Sequence, residues 1–440
     1  MRNRRVPVYG KSSDKPVDWI MTETTITASH AKRQATVGFI FVAALLDVMS
    51  LGLIIPVLPK LVEEFSGGDT ARAAEVLGLF GTAWAVMQFI FSPILGMLSD
   101  RFGRRPVLLI SIFGLGFDYV LMAMSPSLTW LFVGRLISGV TAASFGTASA
   151  YIADITSPRD RAKNFGIMGA AWGVGFVLGP AIGGVLGVLG PRWPFWAAAA
   201  FALANGLYGL FILPESLPRE RRAPFDWSKA NPVGSLSLLR SHPELFGLAG
   251  VNFLYQLAHN VLPSVFVLYT GFRYGWTTFE VGILLAATGI TNIIVQSVVV
   301  GPAVSRFGER GVLLLGLATG GIGFTIYGLA PTSSVFWTAV PIFSLMGLVQ
   351  PGLQALMTRL VKPSEQGQLQ GTNSSIMGLT GILGPGLFTS VFARSIDGRQ
   401  ADALAGLSVL LAALMMYVAL GLATWITRTG AEAPAAVEDS

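Results

Sequence analysis

The segment "GMLSDRFGRRPVLL", Gly96 to Leu109, packs Asp100, Arg101, Arg104 and Arg105 into a short turn between two long apolar stretches. A helix needs about 20 apolar residues to cross the hydrocarbon of a bilayer, and the stretches on either side, 76–98 and 106–125, are each long enough. The charged knot is therefore a loop joining two membrane spans. Working outward, the same pattern recurs along the chain. Twelve apolar stretches occur, at 36–58, 76–98, 106–125, 128–153, 163–187, 194–213, 244–270, 279–303, 310–330, 333–359, 368–392 and 401–426.

Composition agrees. Of 440 residues 52% are hydrophobic and only 12% charged, and the mean hydropathy is +0.62. Soluble domains carry about 25% charged residues, so this chain lacks the polar surface a soluble protein of its size needs. The absence of cysteine excludes disulfides and thiolate metal sites. His30, His242 and His259 are not clustered, so no metal site or metal cofactor is expected, nor any other cofactor. No GxxxxGK[ST] loop is present, which removes nucleotide-driven pumping.

Lys and Arg gather on the cytoplasmic side of membrane proteins. With the N-terminus inside, 23 of the 30 Lys and Arg residues fall in inner segments. Lys60, Arg72, Arg192, Arg273, Arg394 and Arg399 fall outside, and Arg135 lies within a span. This distribution makes the +6 net charge a topology signal and not a nucleic-acid surface. The longest polar interruption, 214–243, splits the spans six and six.

The expected organisation is an all-α polytopic membrane protein with both termini cytoplasmic. It comprises a cytosolic extension (1–35), a six-helix bundle (36–213), a cytoplasmic linker (214–243), a second six-helix bundle (244–426) and a cytosolic tail (427–440). The two bundles are repeats. A shift of 205 residues lays Gly96–Arg105 over Gly301–Arg310, matching Gly, Arg, Phe, Gly and Arg, and the same shift lays Gly179–Pro180 over Gly384–Pro385. Doubled bundles of this kind place the substrate near mid-bilayer, between the halves.

Three ionisable residues lie well inside spans: Asp47, Asp118 and Arg135. Each costs roughly 2.5–3.5 kcal/mol at a helix centre on insertion scales, so each demands a reason. Asp118 and Arg135 both lie about 10 Å from the same membrane face, where a structural ion pair across the hairpin is one reading and proton coupling the other. The 205-residue shift maps Asp47 onto Asn252, Asp118 onto Gly323 and Arg135 onto Val340, which confines the buried charge to the first half. Gln88, Asn252, Gln256, Asn292, Gln296, Gln350 and Gln354 are polar residues within spans that either line a cavity or bind helices together. His259 is a further such residue.

The loop "GMLSDRFGRRPVLL" resembles the signature loop between spans 2 and 3 of the major facilitator superfamily, and "GVGFVLGPAIGG" (173–184) resembles the span 5 motif of its antiporters. "LLDVMSLGLIIPVLPKL" (45–61), "GFDYVLMA" (116–123) and "GRLISGVTA" (134–142) are similar to the tetracycline/proton antiporters in particular. The resemblance implies the two-bundle fold of that superfamily in a bacterial cytoplasmic membrane. It also implies export of a small amphipathic drug, tetracycline among the candidates, in exchange for protons by alternating access.

By the same resemblance Asp47, Asp118 and Arg135 are proton-coupling residues. Gly96, Asp100, Arg101, Gly103, Arg104 and Arg105, with Asp154 as partner, form an inner gate. Gly175, Gly179, Pro180, Gly183 and Gly184 seal the transporter against proton leak. One departure stands out. The His of span 8 and the Asp of span 9 in tetracycline exporters fall here on Asn292 and Gly320. A proton-coupled importer or symporter of a metabolite on the same fold is the alternative function. An enzyme is not expected, and the protein is expected to act as a monomer.

Overall fold

The structure, a computed structural model, describes residues 41–142, 145–156, 160–224, 231, 233–397 and 404–429. The expected N-terminal extension, part of the linker and the tail beyond 429 lie outside these residues. Every regular element described is helical, and eleven helical stretches are long and apolar enough to cross a membrane. In chain order they are α1 (Phe41–Phe65), α2 (Thr70–Phe102), α3 (Arg104–Met124), α4 (Leu128–Ile155), α5 (Gly166–Leu189), α6 (Trp193–Ile212), α7 (Leu245–Tyr274), α8 (Thr278–Leu329), α9 (Ser333–Arg359), α10 (Pro363–Ile396) and α11 (Leu407–Arg428).

Eleven stretches stand where the sequence pattern gave twelve because α8 runs for 52 residues. At 1.5 Å per residue that is about 78 Å, against a hydrocarbon core of about 30 Å. The stretch is broken internally at Gly308, whose backbone (φ 66°, ψ 173°) is not helical. Gly103, between α2 and α3, also has a positive φ of 107°. These two glycines lie 205 positions apart, so the sequence repeat is also a repeat of backbone geometry. Only glycine takes such angles without a steric penalty.

The surface left to lipid is apolar, with Ile110, Phe117, Phe211, Phe246 and Trp425 among its large exposed side chains. The two halves meet along two seams, α2 against α10 and α5 against α8. In the first, Gly78, Gly81 and Gly378 lie against Thr389, Pro385 and Phe89, and the Thr82 hydroxyl donates to the Ile382 carbonyl at 3.2 Å. In the second, Gly173, Gly184 and Gly187 lie against Ile293, Gly282 and Thr278.

These contacts run from the ends of the helices remote from the charged loop to about mid-helix, where Phe89 and Gly173 lie. Nearer that loop, Gly96, Gly166, Gly169, Gly301 and Gly367 have no atom within 4 Å of where a Cβ would project. The halves are closed at one end and parted at the end that carries Asp100–Arg105.

Candidate functional site

The charged loop is built around Arg104. Its guanidinium reaches Asp100 Oδ1 at 2.5 Å and Asp154 Oδ2, on α4, at 3.1 Å, and donates to Ser99 Oγ at 2.7 Å. The expected pairing of the loop with Asp154 is present. Arg101 and Arg105 do not join it. Arg101 lies over the Phe102 ring at 5.2 Å, and Arg105 donates to the Leu210 carbonyl at 2.6 Å. Gly103 makes the turn, with its neighbours drawn onto the carboxylate of Glu215. Gly96, the remaining glycine of the expected gate, has no atom within 4 Å of where a Cβ would project in this conformation.

Glu215 was not singled out from the sequence. Its carboxylate accepts from the backbone N–H of Arg104 at 2.9 Å and of Arg105 at 3.3 Å, which caps the N-terminus of α3. An anion there meets unpaired N–H groups and the positive end of the helix dipole. Ser216 donates to Asp154 at 3.2 Å and the Ala223 N–H to the Asp100 carbonyl at 3.1 Å, so the start of the linker is tied to the loop. The available signal was the bare N-terminus of α3, which offers no capping side chain of its own. A second overlooked pair is Glu309 and Arg359, joined at 2.6 Å in the second half.

The three ionisable residues inside spans gather in the first half. Asp118 is 1% exposed and neither of its carboxyl oxygens has a hydrogen-bond partner. It faces α4 at Gly134 and lies within electrostatic reach of Arg135. Of the two readings, the contact ion pair does not form, and the Arg135 guanidinium lies instead over the Trp84 ring, 5.5 Å from its centre. Tyr119, between them, lies within electrostatic reach of Asp47, Asp118 and Arg135. Asp47 is half-buried.

The glycines of α5 divide between two partners. Gly175, Gly179 and Gly183 pack on α1, against Val48, Met49, Gly52 and Leu53, while Gly184 faces Gly282 on α8 across the seam. The Pro180 carbonyl also lies against Gly282. Two adjacent faces of one helix therefore join α1 to the second half.

The polar residues differ in placement. Asn252 is 2% exposed and donates to Asn373 at 3.0 Å, and Asn373 donates to Gln354 at 3.0 Å. This amide chain ties α7, α10 and α9 together. Gln88, Gln256 and Gln350 are half-buried. Asn292 and Gln296 are exposed on the α8 face next to Gly347, and Gln296 donates to the Gly347 carbonyl at 3.1 Å. Ile290, Ile294 and Val298 cover the opposite, lipid side of that helix. Gly320, at the level of the family's span 9 Asp, is packed by Met346 and Met416, leaving no polar site there.

The chain is similar to known proteins in sequence and in fold. The sequence model of the Major Facilitator Superfamily matches residues 40–385 and 248–439. The chain is 40% identical over 353 residues to the class C tetracycline resistance protein of Escherichia coli, covering 80% of this chain and 88% of that one. It is 41% identical over 359 residues to the class G tetracycline resistance protein of Vibrio anguillarum, with the same coverage of each. The crystal structure of the human organic anion transporter MFSD10 (TETRAN) superposes with a TM-score of 0.65 at 25% identity, covering 89% of this chain and 99% of that one.

Proposed function

The chain belongs to the Major Facilitator Superfamily, and from that premise we propose that it exports a small amphipathic drug in exchange for protons by alternating access. It is a multi-pass membrane protein and a transporter rather than an enzyme. Reading α8 as two spans joined at Gly308 gives twelve, in bundles 36–213 and 244–426, with the charged loop, the linker and both termini on the cytoplasmic side. The names of its curated relatives put tetracycline first among the substrates.

The observation that carries the reading is the one-sided seam. Glycines on α2, α5, α8 and α10 meet at one end, and further glycines on the same four helices stand unpartnered at the other. Two sets of close-packing positions on the same helices suit two alternative closures. In the second closure the Arg104 cluster and Gly96 would meet the other half and shut the cytoplasmic end. Export needs a group that changes charge as access alternates, and Asp47 and Asp118, tuned by Arg135, are the groups available at depth. Gln88, Asn252, Gln256, Asn292, Gln296 and Gln350 are proposed to serve the substrate, Asn252 through the amide chain behind the surface.

Everted membrane vesicles energised with a proton gradient test this directly. Addition of tetracycline with magnesium should release protons. Release on addition of unrelated drugs alone would keep the antiport mechanism and change the substrate class. Silence across the panel, with folded protein present, would favour import of a metabolite.

A further inference from the structure

Helices α2 and α4 of the first half lie side by side. The rings of Phe80 and Phe132 stand 5.5 Å apart between centres, and one turn further along both helices the Trp84 ring meets Arg135. A turn beyond that, Gly139 lets the α2 backbone pass close by. A Cβ there would stand 2.7 Å from the Trp84 carbonyl oxygen and 2.8 Å from the Met87 Cβ. Packing on either side therefore fixes the Trp84 ring at the level of Arg135.

Arg135 has a second partner close at hand. Asp118 Oδ1 lies 2.9 Å from where a Cβ of Gly134, the residue before Arg135, would project. The titratable groups within electrostatic reach of Arg135 are Asp118 and Tyr119, both on α3, and Asp47 on α1 is within reach of Tyr119. A carboxyl buried alone can keep a proton, and one paired with a guanidinium gives it up. The place of the Arg135 guanidinium thus decides what Asp118 does, and the Trp84 ring holds that place. The ring also borders the interior. Leu79 and Ile90, 59% and 46% exposed, mark the lipid side of α2. At about 100° per residue Trp84 and Gln88 project from the other side, and both are half-buried.

We propose that Trp84 is a positioning residue for proton coupling. Its ring parks the Arg135 guanidinium away from Asp118, and cargo arriving beside Gln88 takes the ring and releases the guanidinium onto the carboxyl. The O–H bond of Asp118 then breaks, the carboxylate stays paired with Arg135, and the proton leaves to water at the open cytoplasmic end. A cation–π contact suits the task, because it holds a desolvated guanidinium yet is weaker than a buried ion pair. The inference rests on the export reading for its cargo. It adds the means by which cargo and proton, held by different groups, exclude each other.

The test titrates purified full-length protein without cargo and takes the Asp118 contribution as the difference from Asp118→Asn. Trp84→Leu keeps apolar bulk and has no π face. In it the midpoint of that contribution should move to more acid pH by about one unit, the scale of a desolvated cation–π contact, because the freed guanidinium favours the carboxylate. Trp84→Tyr, which keeps a π face, should stay near wild type, and Trp84→Met serves if Trp84→Leu does not fold. Tetracycline with magnesium, added at neutral pH, should release protons from the wild type and fewer per molecule bound from Trp84→Leu. An unmoved midpoint in folded Trp84→Leu, equal shifts in the Leu and Tyr variants, equal proton release by Trp84→Leu and wild type, or no Asp118 contribution at all would overturn the proposal. The titration needs neither cargo nor transport. Wild-type vesicles that export nothing, alongside the expected midpoints, would therefore count against the export reading and leave the hold of Trp84 on Arg135 in place.

Discussion

Arg104 and Asp154 are joined at 3.1 Å, and 205 positions further along the chain Glu309 and Arg359 are joined at 2.6 Å with the charges exchanged. The two pairs occupy corresponding places in the repeat, each beside a glycine of positive φ. The fold therefore accepts either polarity at this position. In an Asp100→Ser background, which matches Ser305 at the corresponding place of the second half and removes the other carboxylate beside Arg104, a transporter with Arg104→Glu and Asp154→Arg together should fold and retain much of its export, while either change alone leaves two like charges in contact. The double variant should lose at least about 1 kcal/mol less stability than the sum of the two single losses. Thermal melting of the four proteins reads this, and additive losses would mean that the pair is not coupled.

Arg104 is also where a loop built only for topology and a working gate part company. Its side chain is 12% exposed and serves two carboxylates, whereas Arg101 points away. Arg104→Ala should lower turnover several-fold with substrate affinity little changed, and Arg101→Ala should do neither. Initial rates in energised vesicles across a substrate series separate the two quantities. Equal, small effects of both substitutions would leave the arginines with orientation alone.

Asp47 and Asp118 bear on coupling. If either carries the exported drug's counter-proton, replacement by Asn should abolish uphill export driven by a proton gradient. Exchange of labelled for unlabelled substrate at equal concentrations needs no net proton movement and should survive. Asp118→Asn is the more demanding case, because both carboxyl oxygens are buried without partners. Gradient-driven export at the wild-type rate by Asp47→Asn would remove that residue from the mechanism.

Much of this architecture was legible in the sequence because it follows from one-dimensional rules. Span length, the charge bias of the loops and the offset of 205 residues all survive without knowledge of contacts. The ion pair between Arg104 and Asp154 was legible for the same reason, since both fall at span ends on one side. What was not legible depends on how helices face one another. Asp118 and Arg135 have the right depth to pair, but depth does not determine rotation, and the Trp84 ring takes the guanidinium. Glu215 lies 111 positions from Arg104, and only the folded chain shows that the linker returns to cap α3. Whether Asn252 lines a cavity or binds helices together stays open in the sequence until Asn373 is found against it.

The closed seam can be locked. The chain contains no cysteine, so introduced thiols will be the only ones present. A Cβ placed on Gly78 lies 3.2 Å from that of Thr389 on α10, close to the roughly 3.5–4.5 Å span of a disulfide. Gly78→Cys with Thr389→Cys should cross-link on mild oxidation, and export should stop and return on reduction. Each single variant should be indifferent to oxidant. Continued transport by the fully cross-linked protein would show that this seam need not open during the cycle.

Glu215 offers the sharpest separation between holding the loop in shape and merely being near it. Its carboxylate satisfies two N–H groups at the start of α3, and Ser216 beside it reaches the same Asp154 that pairs with Arg104. Loss of a helix cap typically costs about 1 kcal/mol, so Glu215→Ala should lower the melting temperature modestly. It should also lower turnover, because Arg104 is held at its backbone as well as its side chain. Glu215→Gln keeps an oxygen for one N–H and loses the charge that favours the helix start, so its effect should be intermediate. A substitution that acts only on the linker would shift stability without touching export. The ordering of wild type, Gln and Ala in turnover, at equal amounts of folded protein, is therefore the quantity to measure. Identical turnover in all three would detach the linker from the gate.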